Sequence, residues 1–217
     1  MEKLDKVKFY PPAEERINVW SHGLGLLLSV LGLVLLTIRA ASFESSLYLV
    51  SFIVYGVSMV LLYAASTIYH SAKDAKKRAH LNIFDHASIY VLIAGTYTPL
   101  TLITLHGFVG WLLFGVAWGA ALVGIILTLF FIGKYKLLST IMYVVMGWII
   151  VFAVQPLLHN MPSQGLIWLL AGGLSYTIGA VLYSIKGMKF NHAIFHLFVL
   201  IGSFCHFMTV YLYVILP

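Results

Sequence analysis

From Val109 to Ile132 the chain reads VGWLLFGVAWGAALVGIILTLFFI, 24 consecutive residues without one ionisable side chain. A helix crossing the hydrocarbon core of a bilayer needs about 20 mostly apolar residues, whereas a buried run in a soluble domain is shorter. The stretch therefore reads as a membrane span. The same test, carried outward along the chain, finds six more. The seven runs cover approximately 19–41, 47–70, 81–104, 109–132, 137–158, 166–185 and 192–216. Residues 1–18 read as a short amphiphilic N-terminus and 19–217 as a single transmembrane domain. The fold class expected is all-α, a polytopic seven-helix bundle.

Composition points the same way. Of 217 residues, 61% are hydrophobic and 9% charged, against about 25% charged in an average soluble domain. So few charges cannot cover a folded surface in water, and the solvent is lipid. This excludes a disordered tail, a nucleic-acid-binding domain and a secreted disulfide scaffold. Cys205 stands alone, so there is no internal disulfide. The first run is too long for the core of a cleaved signal peptide, about 7 to 15 residues, and reads as the first helix. Gly115 and Gly119 form a GxxxG in the fourth run, where close helix packing is expected.

The cations set an orientation. Lys3, Lys6, Lys8 and Arg16 precede the first run, and Lys73, Lys76, Lys77 and Arg78 lie between the second and third. Lys134 and Lys136 follow the fourth, and Lys186 and Lys189 the sixth. Only Arg39 falls on the other side, where the connections hold His106, Pro156, His159 and Pro162. Positive residues stay inside, so a cytoplasmic N-terminus and an outside C-terminus are expected. The net charge of +6 then belongs to a cytoplasmic face that meets anionic lipids, and no nucleic-acid partner is implied.

Ionisable residues inside a membrane are costly unless paired, hydrated or bound to metal. His70 ends the second run, Asp85 opens the third, and His192 and His196 occupy the first two turns of the seventh. The topology brings all four to the cytoplasmic end. Residues four apart share a helix face, so His192 and His196 can grip one ion. Three imidazoles with an open position describe a catalytic-type zinc site, with Asp85 a direct ligand or a partner of bound water. Ser66, one turn from His70, either supports this site or bonds its own helix backbone. Glu15, Asn18 and His22 share one face of the first helix. They either form a hydrogen-bond network beside the metal or simply an amphipathic helix start. His206 lies about 15 Å further along the last helix and reads as hydrogen-bonded in the bundle. His86 reads as a supporting or interfacial residue, and His80, His106 and His159 fall in connections.

Together, Glu15-x-x-Asn18-x-x-x-His22, Ser66-x-x-x-His70, Phe84-Asp85-His86, Gly95-Thr96-Tyr97-Thr98-Pro99, Met146-Gly147-Trp148 and Asn191-His192-x-x-x-His196 resemble the progestin and adipoQ receptor family. The resemblance spans essentially the whole chain and is strongest to the bacterial hemolysin III-like branch. It implies seven helices, a cytoplasmic N-terminus and a zinc ion near the inner leaflet. It also implies His70, His192 and His196 as ligands, with Asp85 reaching the metal through water. The family's animal receptors carry a long cytoplasmic domain before the first helix, and this chain has almost none, in keeping with the bacterial branch.

Three functions fit this reading. The first is an integral-membrane zinc hydrolase in the bacterial cytoplasmic membrane, acting on a lipid amide or ester. Relatives with ceramidase-like activity support it through the resemblance. Zinc would supply hydroxide at neutral pH, Asp85 would act as general base, and Ser66 would help orient the oxyanion or water. The second is a membrane-homeostasis sensor or receptor-like protein with structural zinc. The third, cytolysis, follows the name hemolysin. It fits least, because the spans lack the stripe of charges that lines a wide aqueous pore.

Overall fold

The computed structural model describes residues 8–131, 136–185 and 187–215. Lys3, Lys6, Lys134 and Lys186, together with the ends of the fourth and seventh runs at Ile132 and Leu216, lie outside the described residues. The described chain is all-helical and contains seven helices long and apolar enough to cross a membrane.

Helix α1 runs from Pro12 to Ala41. It starts at Pro12, ahead of the apolar run. Proline suits the first helical position, having no N–H to satisfy, and Glu14 and Glu15 in the first turn complement the positive end of the helix dipole. Helix α2 covers Ser46–Ser71 and α3 Ala75–Pro99. The Asp74 side chain accepts from the Lys77 backbone N–H at 2.8 Å, capping α3 before its apolar part begins. His80 and Arg78 are therefore helical, not in a connection as their charge pattern implied. After Pro99 the helix widens into a π-turn over Leu100–Leu105, where proline supplies no N–H for the regular ladder.

Helix α4 spans Gly107–Phe131 and α5 Lys136–Gly147. The fifth membrane segment continues through a 3₁₀ turn, Ile149–Ala153, into α6, Val154–Asn160. His159 and Pro156 thus belong to a helix and not to a loop. The break at Trp148 leaves backbone groups that lipid cannot satisfy. The Tyr97 hydroxyl donates to the Gly147 carbonyl at 3.0 Å and accepts from the Ile150 N–H at 2.9 Å. The Trp148 indole donates to Thr177 Oγ1 at 3.0 Å. Helices α7, Ser163–Ser184, and α8, Asn191–Tyr213, complete the bundle.

Helix α3 is the most enclosed of the spans and packs between α2 and α4, while α1 meets α2 and α8. Contact with α2 is close: a Cβ on Gly95 would lie 2.3 Å from Ser58 Oγ. Large apolar side chains point outward, with Phe152 89% and Trp20 77% exposed, as expected where the solvent is lipid. The GxxxG does not pack within the chain. Gly115 and Gly119 are exposed, and a Cβ on either meets nothing within 4 Å among the described residues. The side of α4 that is buried carries Ala117, Ala121 and Gly124, and Gly124 sits directly against the Tyr90 ring. Two residues on a helix turn the face by about 200°, so the two small-residue stripes look in opposite directions.

Candidate metal centre

The C-terminal turn of α2 and the N-terminal turns of α8 meet at one end of the bundle, each carrying buried histidines. His70 Nε2 lies 3.0 Å from His192 Nε2, and His196 Nε2 lies 3.1 Å from the same atom. Each histidine can offer one ligand atom within 4.8 Å of the others. His192 and His196 share a face, as their spacing of four requires, and His70 reaches them only because the two helices are juxtaposed.

The protons on these rings follow from what the opposite nitrogens touch. His70 Nδ1 donates to Glu15 Oε2 at 2.7 Å, which leaves its Nε2 as a lone pair facing inward. The Asn18 amide approaches the same Nδ1 at 3.5 Å. Ser21 Oγ donates to the Asn18 carbonyl at 3.1 Å and accepts from His196 Nδ1 at 3.4 Å. His196 Nε2 is then also a lone pair facing inward. Carboxylate or hydroxyl support of the outer ring nitrogen is the usual way a protein orients a metal-binding histidine. His192 is different: its Nδ1 is buried and has no partner among the described residues. Its backbone N–H donates to Glu14 Oε1 at 3.3 Å, and the Tyr10 ring stacks on its imidazole, centroids 4.6 Å apart at 15°.

Arg78 ties this support together. Its guanidinium pairs with Glu15 Oε1 and donates to the carbonyls of Tyr69, His70 and Ala72, at 3.2, 3.3 and 3.1 Å. It thereby closes the last turn of α2, where free carbonyls favour a cation. It is 1% exposed, not the solvated loop cation that its neighbours Lys76 and Lys77 suggest. Nε of the same side chain donates to the Lys8 carbonyl at 3.1 Å. Burial pushes the pKa of the Tyr10 phenol up, so that hydroxyl stays protonated.

A cavity of about 150 Å³ opens beside the triplet. His192 and His196 line it, and so do Asp85, Ser66 and His22. Asp85 is buried, outside the triplet of converging nitrogens, and its Oδ2 lies 3.6 Å from His86 Nδ1. Ser66 Oγ is buried and bonded neither to its own helix nor to any other described residue. His22 stacks on His196 with centroids 3.5 Å apart at 9°. The geometry thus gathers Glu15, Asn18 and His22 around the triplet, with Asp85 and Ser66 on the cavity side. His206 lines the cavity further along α8, and its Nε2 donates to the Leu169 carbonyl at 3.2 Å.

Three imidazoles suit zinc, which binds nitrogen at about 2.0–2.1 Å, and tetrahedral geometry then places ligand nitrogens about 3.3 Å apart. The separations of 3.0 and 3.1 Å are close to that value. At least two of the three nitrogens present lone pairs to one point, an arrangement that a cation relieves. The donor set fits a metal.

Residues 11–207 match the family described as haemolysin-III related. The chain belongs to that family. Among haemolysin-III relatives, the protein named Hemolysin-3 in Bacillus cereus is 46% identical over 202 residues, covering 93% of this chain and 92% of that protein. The Hemolysin-3 homolog of Bacillus subtilis is 46% identical over 200 residues, 92% of this chain and 94% of its own. The human monocyte to macrophage differentiation factor, from the wider progestin and adipoQ receptor family, is 29% identical over 168 residues, 74% of this chain and 68% of its own. With its seven apolar spans, this haemolysin-III protein is an integral membrane protein of the bacterial plasma membrane.

Sequence reasoning did not single out Tyr10, Ser21 or a buried Arg78. Ser21 and Tyr10 carry no spacing signal. A compositional signal lies in the Phe9-Tyr10-Pro11-Pro12 segment: two stiff prolines behind two aromatics, just ahead of the acidic first turn of α1.

Proposed function

We propose that this protein is a metal-dependent hydrolase acting on an amide or ester bond of a membrane lipid near the inner leaflet. The observation that carries the reading is the continuity between the histidine triplet and the cavity, whose lining includes both α8 histidines, Asp85 and Ser66. His70, His192 and His196 would hold zinc through Nε2. Bound there, zinc supplies a polarised carbonyl and a water with pKa near 7. The Asp85 carboxylate accepts the proton of the attacking water and returns it to the leaving amine or alcohol. The Ser66 hydroxyl, free of its own helix, donates to the carbonyl oxygen as negative charge develops. The apolar cavity wall orients the acyl chain and keeps bulk water away.

The test is lipid turnover. Membrane lipid extracts incubated with zinc-loaded protein should release a fatty acid, and Asp85→Ala protein, still holding zinc, should release none above background. Equal release by the two proteins sinks the assignment of Asp85.

A second reading is favoured by one observation: the triplet and its partners knit α1, α2 and α8 together, as a structural zinc would. In that case Asp85→Ala keeps full biological activity, while loss of the histidines unfolds the bundle. Cytolysis draws support from the name of the Bacillus cereus relative and ranks third. In either leading reading the N-terminus is cytoplasmic, the basic face meets anionic lipids, and a reporter fused after Pro217 reports the outside.

A further inference from the structure

Residues 8–11, Lys-Phe-Tyr-Pro, form a strap at the end of the bundle that holds the histidine triplet. Neither Tyr10 nor His70 is among the residues that line the cavity. The strap carries Tyr10 onto the His192 ring at 4.6 Å, with the His70 ring 5.8 Å away, and Tyr10 is only 9% exposed there. Each strap residue ahead of Pro11 is held by something from the bundle or from its neighbour. The Tyr10 N–H donates to Glu15 Oε1 at 3.1 Å, and Arg78 Nε donates to the Lys8 carbonyl at 3.1 Å. The Arg78 guanidinium lies 4.6 Å from the Phe9 ring centre, and the Lys8 ammonium 4.1 Å from that of Tyr10. Pro11 and Pro12 join the strap stiffly to α1.

Of the three histidines, His192 is the one without a hydrogen-bond partner at Nδ1 among the described residues. Its orientation rests on ring contacts, and the flattest of these is Tyr10. The anchors of the strap are the groups that support the metal ligands: Glu15 bonds both His70 and the Tyr10 N–H, and Arg78 bonds both Glu15 and Lys8. Lifting the strap therefore loosens the support of His70 and His192 together.

Resting on the metal reading above, we infer that the 8–11 strap is the gate through which the metal enters and leaves, with Tyr10 the positioning residue that holds His192 in place. The site then has two doors: an aqueous one under the strap for the ion, and the cavity for the apolar ligand.

The experiment measures zinc release from the full-length, detergent-purified protein into excess EDTA, with a zinc indicator as readout. Tyr10→Ala should take up one zinc per chain in excess metal, yet release it about 10- to 100-fold faster than wild type, the range typical for loss of support to a metal-binding histidine. Tyr10→Phe keeps the ring and should release at the wild-type rate. If Tyr10→Ala does not fold, Tyr10→Leu, which fills the space without a flat face, should show the same acceleration. Wild-type release rates in the alanine or leucine variant overturn the gate and leave the metal site standing. Wild-type protein that takes up no zinc overturns both.

Discussion

Helix α8 carries histidines of two kinds, buried His192 and His196 and part-buried His206, and their contrast explains the site. His206 has one acceptor, the Leu169 carbonyl at 3.2 Å, and its ring lies flush against Gly172, where a Cβ would be 2.2 Å from it. Its Nε2 is paired and its ring fills a fitted hollow, while its Nδ1 has no partner among the described residues. His192 and His196 instead turn their Nε2 atoms toward His70. His196 is held from behind through Nδ1 and His192 by ring contacts. Burial alone does not mark a metal ligand. What makes the triplet a candidate is convergence of lone pairs, with the opposite nitrogens of His70 and His196 already committed to Glu15 and Ser21.

The contrast can be broken in three ways. The largest effect is expected from His192→Ala combined with His196→Ala, which should take zinc from one per chain to none by elemental analysis of purified protein; stoichiometric zinc in that variant removes the site. Next comes Glu15→Gln. The amide keeps the size but loses the charge that orients His70 and pairs with Arg78, and zinc affinity by competition titration should fall about 10- to 100-fold. An unchanged affinity would mean that the Glu15–His70 bond is incidental. The smallest effect is expected from His206→Leu. Zinc content should be unchanged, and thermal unfolding should report a loss of about 1 to 3 kcal/mol from the stranded Leu169 carbonyl. Loss of zinc in this variant would merge the two classes of histidine.

Much of this is legible in the sequence. Runs of 20 or more apolar residues permit little except membrane helices, and His70, Asp85, His192 and His196 come to one end by counting crossings. The limits were local. Arg78 belongs by charge to a solvated cluster with Lys76 and Lys77, and its burial depends on α3 starting at Ala75 and turning that one side chain inward. Gly115 and Gly119 have the spacing of a packing motif, but which side of α4 faces the protein is settled by Tyr90 and Ala94 on α3 and Met146 on α5, which pack against Ala121. Helix α5 reads as one unbroken run, and its break at Trp148 is tolerated because the Tyr97 hydroxyl, from another helix, serves both freed backbone groups.

Hydropathy and charge along the chain are enough to set the solvent, the number of crossings and the end of the bundle where the ionisable residues collect. Those follow from hydrophobicity and charge, which act on each segment independently. Helix packing sets the rest: the three imidazole nitrogens converge, Glu15, Ser21 and Arg78 stand behind them, and Tyr10 closes over His192. Each of those depends on the rotation and depth of one helix against another, which no single segment encodes.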